Sequence, residues 1–193
     1  MKKIVTVGII AVMALSFAFK TADTATWTLD KAHAKLGFTI THLMVSEVEG
    51  WFKNFDAKIT ASKEDFSDAV AEMTADVNSI NTDNEQRDKH LKSPDFFDAA
   101  KYPTITFKSK TFKKVSDKSF KVTGDLTMHG ITKTIDLDAN YRVGTNPMSK
   151  QAITGFKITG VVKRSDFAIG TSMASNLLGD EVTIVANTEF IKK

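Results

Sequence analysis

From residue 27 onward, apolar side chains recur at every second position, the period that sends alternate side chains of a β-strand to opposite faces. Over 33–42, Ala34, Leu36, Phe38 and Ile40 alternate with Lys35, Gly37, Thr39 and Thr41, which predicts one half-buried strand. A second runs through Phe52, Phe55, Ala57 and Ile59, its parity slipping at Lys53 and Asn54 as a bulge would make it. Ala71, Met73, Ala75 and Val77 mark a third, and Ile105, Phe107 and Ser109 open a fourth. Four more follow at Phe120 to Met128, Ile135 to Val143, Phe156 to Val162 and Val182 to Phe190. The segment 116–119 and the pair His129-Gly130 read as tight turns, 144–150 as a loop, and 165–180 as a long loop or short helix. Eight such strands in sequence order predict an all-β fold, an antiparallel up-and-down barrel in which closure removes the unpaired edges of an open sheet. A two-sheet sandwich satisfies the same alternation.

The segment before the strands is different in kind. Lys2 and Lys3 precede an apolar run from Ile4 to Phe19, with small residues at Ser16 and Ala18, the pattern of a secretory signal peptide over 1–22 cut after Ala18 or Ala22. The run is shorter than the roughly 20 residues that span a bilayer. A single domain is then expected over 23–193, periplasmic or secreted, with no transmembrane segment once the signal is removed. The chain has no cysteine, so thiol chemistry, disulfides and a lipidated cysteine are all excluded. Loss of Lys2 and Lys3 in a cut before Lys20 takes the formal charge from +3 to +1. Nucleic acid, which needs a gathered basic excess, is not an expected partner.

An eight-stranded barrel is just wide enough to fill itself with side chains or to keep room for one small ligand. Here the inward stripes mix phenylalanines with Ala57, Ala71, Ala75, Gly124, Ala139, Gly160 and Ala186. Small residues that face one another leave a channel, whereas small facing large makes a solid core, and the sequence leaves both open.

Between the third and fourth strands lies "NTDNEQRDKHLKSPDFFDAAKYP". Thr82 and Glu85 have capping-box spacing, which predicts a short helical insertion there, with Asp83–Arg87, Glu85–Lys89 and Asp88–Lys92 spaced as ion pairs. Pro94 limits it, and Leu91, Phe96 and Phe97 need an apolar surface to cover, such as an open barrel end. Arg87 and His90 share a helix face and are candidates for a head group, with ordinary ion pairing as the alternative. No GxSxG elbow supports a nucleophilic serine, and the chain reads as a non-enzyme, with His90 and Asp88 as the residues a hydrolase or isomerase would use. His33, His42, His90 and His129 form no HExxH pair, and His33 and His42 fall at opposite strand parity, so no metal site is expected.

The segments "WTLDKAHAKLGFTITHLMVSEVEGWFKNFDAKI", "NSINTDNEQRDKHLKSPDFFDAAKYPTITFKS", "GDLTMHGITKTIDL", "KRSDFAIG" and "GDEVTI" together resemble the YceI-like family of polyisoprenoid-binding proteins. Trp27, Asp30, His33, Phe38, His42, Gly50 and Phe52 match its first signature, and Arg87, Asp88, His90, Leu91, Phe96 and Phe97 its second. Ala34 departs from a frequent serine, and Ala168 from a glycine that often follows "DF". The resemblance implies a lipocalin-like eight-stranded barrel exported to the bacterial envelope, frequently a homodimer, which holds an isoprenoid or related amphiphile and needs no cofactor. The expected function is to sequester or carry a polyisoprenoid, quinone-like or fatty-acyl lipid. Its apolar channel is expected to comprise Phe38, Ile40, Phe52, Ala71, Met73, Ala75, Phe107, Leu126, Ala139, Tyr141, Phe156 and Ile158, with Arg87, His90 and His42 at the head group. The alternative is a structural or stress-related envelope module built on a solid barrel.

Overall fold

A computed structural model describes residues 23–193; the expected signal segment lies outside the described residues. Of the first three expected strands, the first forms whole, and the second and third are each broken in two. β1 (Ala25–Leu29) and β2 (Lys35–His42) are separated by a 3-10 turn at Lys31–His33, capped where the Asp30 carboxylate accepts from the Ala32 N–H at 3.0 Å. β3 (Ser46–Phe52) and β4 (Phe55–Ala61) part at the predicted slip, where Lys53 donates its N–H to the Ser79 carbonyl and Asn54 donates to the Ser79 hydroxyl. β5 (Val70–Asp76) and the two-residue β6 (Ile80–Asn81) flank a 3-10 turn at Val77–Ser79. After α1 (Glu85–Leu91) come four long strands: β7 (Thr104–Ser116), β8 (Ser119–Met128), β9 (Ile131–Thr145) and β10 (Ala152–Lys163). A 3-10 turn at Arg164–Phe167 leads to the last strand, β11 (Leu178–Lys192).

All pairings are antiparallel, and β1, β4, β5, β7, β8, β9, β10 and β11 form a ring that closes where β11 returns to β1. The eight-stranded barrel is therefore the architecture, and the sandwich is not. β11 pairs with β1 through Phe190–Lys192 but with β2 through Leu178–Asn187; β2 then carries β3, and β3 carries β6 at Trp51 and Phe52 only. The expected insertion between a third and a fourth strand is corrected: the helix follows β6, the sixth extended segment, because β1 precedes the first expected strand, the predicted slip at Lys53 and Asn54 separates two strands, and a 3-10 turn splits the third. β1 was also not expected; its five residues carry only Trp27 fully buried.

One barrel end is plugged. The 62–69 connection drives Phe66 into the interior at φ +57, 1% exposed, with ring centroids 5.3 Å from Trp27 and 5.5 Å from both Tyr141 and Phe156. Asp68 holds this connection in shape by accepting from the Ser62 and Lys63 N–H groups at 3.0 and 3.1 Å. Small residues on the inner face meet large ones. A Cβ at Gly124 would overlap the Phe107 ring and stand 2.6 Å from the Lys108 carbonyl, and one at Gly50 would overlap Phe38. At these two glycines the missing side chain admits a ring and leaves no channel. Outside, Lys58 and Lys108 grip Glu72 at 2.7 and 2.9 Å and hold its carboxyl down to about 2.

Because Phe66 supplies the centre of the aromatic plug, Phe66→Ala is expected to lower the unfolding free energy by about 3–5 kcal/mol. Urea denaturation followed by tryptophan fluorescence checks this; a loss under about 1 kcal/mol would show that the plug collapses without it.

Candidate functional site

The other end is not filled. A cavity of about 510 Å³ lies between β2, β3, β8 and β11 and beneath the segment that follows β6. Phe38, Ile40, Phe52, Met73 and Leu126 line it as expected, and so do His42, Arg87 and His90. A smaller chamber of about 100 Å³ lies toward the plug and contains Ala71, Phe107, Ala139, Phe156 and Ile158 in its wall. Leu36, Met73, Leu126 and Ile184 belong to both walls and form the neck between them.

Two expected lining residues are corrected. Ala75 is 0% exposed and faces neither chamber; it is paired with Phe55 on one side and Ile105 on the other, whose side chains cover it. Tyr141 belongs to the plug, stacked 5.8 Å from Phe156 and 5.4 Å from Phe120, its hydroxyl donating to the Asp117 carbonyl at 3.2 Å. Strand parity finds the inward face but not the height along the barrel, which places Tyr141 in the plug, and it does not tell a fully buried position such as Ala75 from one that faces open space. For the same reason Val48, Met128, Val182 and Ile184, all at correct parity, line the cavity without having been singled out.

The lid is built differently from the capping box that its sequence suggested. Asp83 takes φ +57, which makes Asn84 the N-cap, its side chain accepting from the Arg87 N–H at 3.0 Å. Asp88, one turn later, then reaches back to accept from the Thr82 N–H at 2.8 Å and the Thr82 hydroxyl at 2.6 Å. Arg87 donates Nε to that hydroxyl at 2.7 Å and Nη2 to the Thr82 carbonyl at 2.6 Å. Asp83, Glu85 and Asp88 are thus not the ion-pair partners expected for Arg87, Lys89 and Lys92; the buried Thr82 takes up Arg87 and Asp88 instead. Two of the five guanidinium N–H donors of Arg87 are used in this way, and the rest remain for a group at the cavity wall. His90 lies 3.6 Å from the Asp95 carboxylate and packs edge-on against Phe96 at 4.9 Å.

Opposite the lid, the segment 168–177 forms the rim, and it is held by Arg164. This side chain is 5% exposed and donates all five N–H groups to backbone carbonyls: Ile169, Gly170, Met173, Leu178 and Gly179, at 2.6 to 3.2 Å. With every donor committed, it positions the rim and cannot itself bond a ligand. Beside it, burial pushes the Asp180 carboxyl up, but bonds from Ser165 and the charge of Arg164 outweigh this and leave it below its ordinary value. No periodic signal marks this arrangement, since its acceptors are all main chain. Lid and rim meet where Gly170 N–H donates to the Asp95 carbonyl at 3.1 Å and Phe96 lies against Gly170.

The histidines divide. His42 lines the cavity, while His129 bonds the Phe167 carbonyl through Nδ1 at 2.9 Å and packs on Tyr102. His33 lies in the 3-10 turn rather than in a strand, so its parity has no meaning. Its Nδ1 is 2.9 Å from Asp30, which raises the imidazole and lowers the carboxyl, with Glu189 nearby on the outer surface.

A YceI-like domain model matches residues 27–190. A UPF0312 protein of Staphylococcus aureus strain MSSA476 is 41% identical over 169 residues, covering 85% of this chain and 96% of the relative. The crystal structure of the Campylobacter jejuni YCEI protein is 36% identical, with TM-score 0.71 over 86% of this chain and 97% of that one. BcnA of Burkholderia cenocepacia is 27% identical, with TM-score 0.74 over 83% of this chain and 98% of that one. A polyisoprenoid binding domain from Saccharophagus degradans, 17% identical, shares the fold at TM-score 0.65 over 89% of this chain and all (100%) of that domain.

Ala168, where the sequence departs from glycine, stands at φ +55 and ends the 3-10 turn that carries Arg164. A side chain is strained in this region. Ala168→Gly is therefore expected to raise stability by up to about 1 kcal/mol, read as a higher urea midpoint at unchanged slope. A lower midpoint would mean that the Ala168 methyl contributes packing that outweighs its strain.

Proposed function

The chain belongs to the YceI-like family, and from this we propose that it is a binding protein that takes the tail of a long-chain amphiphile into the mouth-end cavity. The observation that carries the proposal is the cavity itself: about 510 Å³, walled by phenylalanine and aliphatic side chains, with Arg87, His90 and His42 on its wall. Burial gains roughly 0.8 kcal/mol per methylene, so a tail of about ten methylenes gains roughly 8 kcal/mol before the cost of ordering it. The polar end then meets the uncommitted donors of Arg87, with His90 and His42 beside it. A polyisoprenoid is the first candidate ligand, in line with the description of the S. degradans domain; quinone-like and fatty-acyl lipids offer the same chemistry.

A catalytic role has less support. Asp88 is bound to Thr82 and His90 lies beside Asp95, so the two are not arranged as an acid–base pair. A module with a solid barrel has less support as well, because the chambers occupy the space such a core would fill. Among the described residues no helix is long and apolar enough to cross a membrane. The signal-like start of the chain supports export to the periplasm or beyond as part of the same proposal.

Native mass spectrometry of protein purified from its own host, with lipid extraction, tests the reading; protein that repeatedly carries no lipid and binds no long amphiphile would sink it. Ile40→Trp, which puts an indole into the large chamber, is expected to weaken geranylgeraniol binding by about tenfold or more while the melting temperature stays in place. Arg87→Gln is expected to weaken a long-chain fatty acid by about tenfold and geranylgeraniol much less, since only the acid offers a charge to the guanidinium. Equal losses for both ligands would remove Arg87 from the head-group site.

A further inference from the structure

The hairpin joining β2 to β3 ends in Leu43, Met44 and Val45, which are 50%, 75% and 88% exposed. Leu43 and Met44 have φ of 53° and 57°, and the Val45 N–H closes the turn on the His42 carbonyl at 3.1 Å. Turns with two positive φ values favour Asn-Gly, because a bulky side chain crowds the backbone there. Leucine and methionine thus carry strain and exposure together, two penalties that folding alone does not explain.

The tip stands at the cavity mouth. The Leu43 N–H donates to the Leu177 carbonyl at 2.9 Å, and Leu177 is itself 45% exposed. Leu43, Met173 and Leu177 line the large chamber, so the chamber wall and the outer rim share side chains. The two segments that build this side of the mouth, 43–46 and 168–179, contain no Asp, Glu, Lys, Arg or His, in a chain that is 25% charged. A stable protein interface buries about 800 Å² on each partner, more than a tip of four side chains offers. Insertion into a bilayer surface scales with apolar area and needs no such extent, but it penalises charge on the side chains that enter the apolar layer.

We propose that the 43–45 tip, with Leu177, inserts into the surface of a lipid bilayer and sets the cavity mouth against the membrane, so that a lipid passes between bilayer and barrel without crossing water. The passage of lipid rests on the binding function proposed above; the docking does not. Flotation with vesicles of phosphatidylethanolamine and phosphatidylglycerol reads docking, uptake of geranylgeraniol from those vesicles reads exchange, and binding of the same alcohol from dilute detergent reads the cavity alone. Wild-type protein is expected to float. Met44→Asp and Val45→Asp, which lie outside the cavity wall, are expected to lower the bound fraction and the uptake rate on the order of tenfold and to leave detergent-delivered binding unchanged. Met148→Asp, equally exposed (89%) in the loop at the plugged end, is expected to change nothing. Wild type that stays off the vesicles, or tip variants that float as well as wild type, would overturn the proposal. So would tip variants that lose self-association by light scattering with flotation unaltered, which would assign the tip to a second copy. Absence of binding from detergent together with tip-dependent flotation would overturn the lipid-binding function and leave the docking standing.

Discussion

The shape of this molecule depends on how β11 shares its free edge. On one side it pairs with β10 from Glu181 to Ile191, and on the other it meets β1 near its end and β2 along its beginning. The 3-10 turn at Lys31–His33, pinned by Asp30, offsets those two partners. At the β1 end the neighbours β4 and β5 continue round to β7, and the ring closes. At the β2 end the sheet continues through β3 to the short β6, which has no further strand partner among the described residues, and α1 follows it in sequence. The offset thereby makes a barrel whose ring closes by strand pairing, with one end plugged by Phe66 and the other covered by the lid.

Side-chain volume follows the same division. Toward the closed end, Phe66, Phe120, Tyr141 and Phe156 meet at 5.4 to 5.8 Å between centroids, within the range that favours tilted and edge contacts. Toward the mouth, the inward positions are held by Ile40, Met73, Leu126, Val182 and Ile184, which line a space and do not close it. A side chain facing such a space lacks neighbours on one side and forfeits their dispersion attraction. A ligand that restores those contacts binds the folded state alone and stabilises it in proportion to its occupancy.

Period-two alternation made the eight-stranded barrel legible, because burial on one face imposes the same parity whatever the strand's neighbours. Several site residues followed from that parity: Phe38, Ile40, Phe52, Met73 and Leu126 are cavity wall as expected. Tyr141 shares the parity and not the place, since alternation carries no information on height along the barrel axis, and Ala75, beside the wall residue Ile105, is fully buried and faces no open space. The Thr82 cap was misread because Asp83 adopts a left-handed φ, which moves the start of the helix on by two residues and hands the return bond to Asp88. The rim was illegible for a different reason: a loop held by one arginine on five carbonyls has no side-chain pattern to detect.

Lid and rim are therefore two units of unlike construction. The lid is tied within itself, Phe97 N–H to Leu91, Asp98 N–H to Ser93 and Ala99 N–H to Lys92, and it is flanked by Asp83 and Asp98, both at positive φ. Local hydrogen bonds of this kind survive a rigid-body displacement of the segment. The rim has local bonds of its own, from the Met173 N–H to Gly170 and from the Leu177 and Leu178 N–H groups to Ala174, and it depends besides on the Arg164 guanidinium, which would lose several charge-assisted bonds if the loop moved away. What joins the two is a smaller contact, the Gly170 N–H on the Asp95 carbonyl and the Phe96 ring over Gly170. The seam between lid and rim thus carries fewer hydrogen bonds than either unit carries within itself, and it lies at the cavity wall, which Phe96 and Ile169 both line.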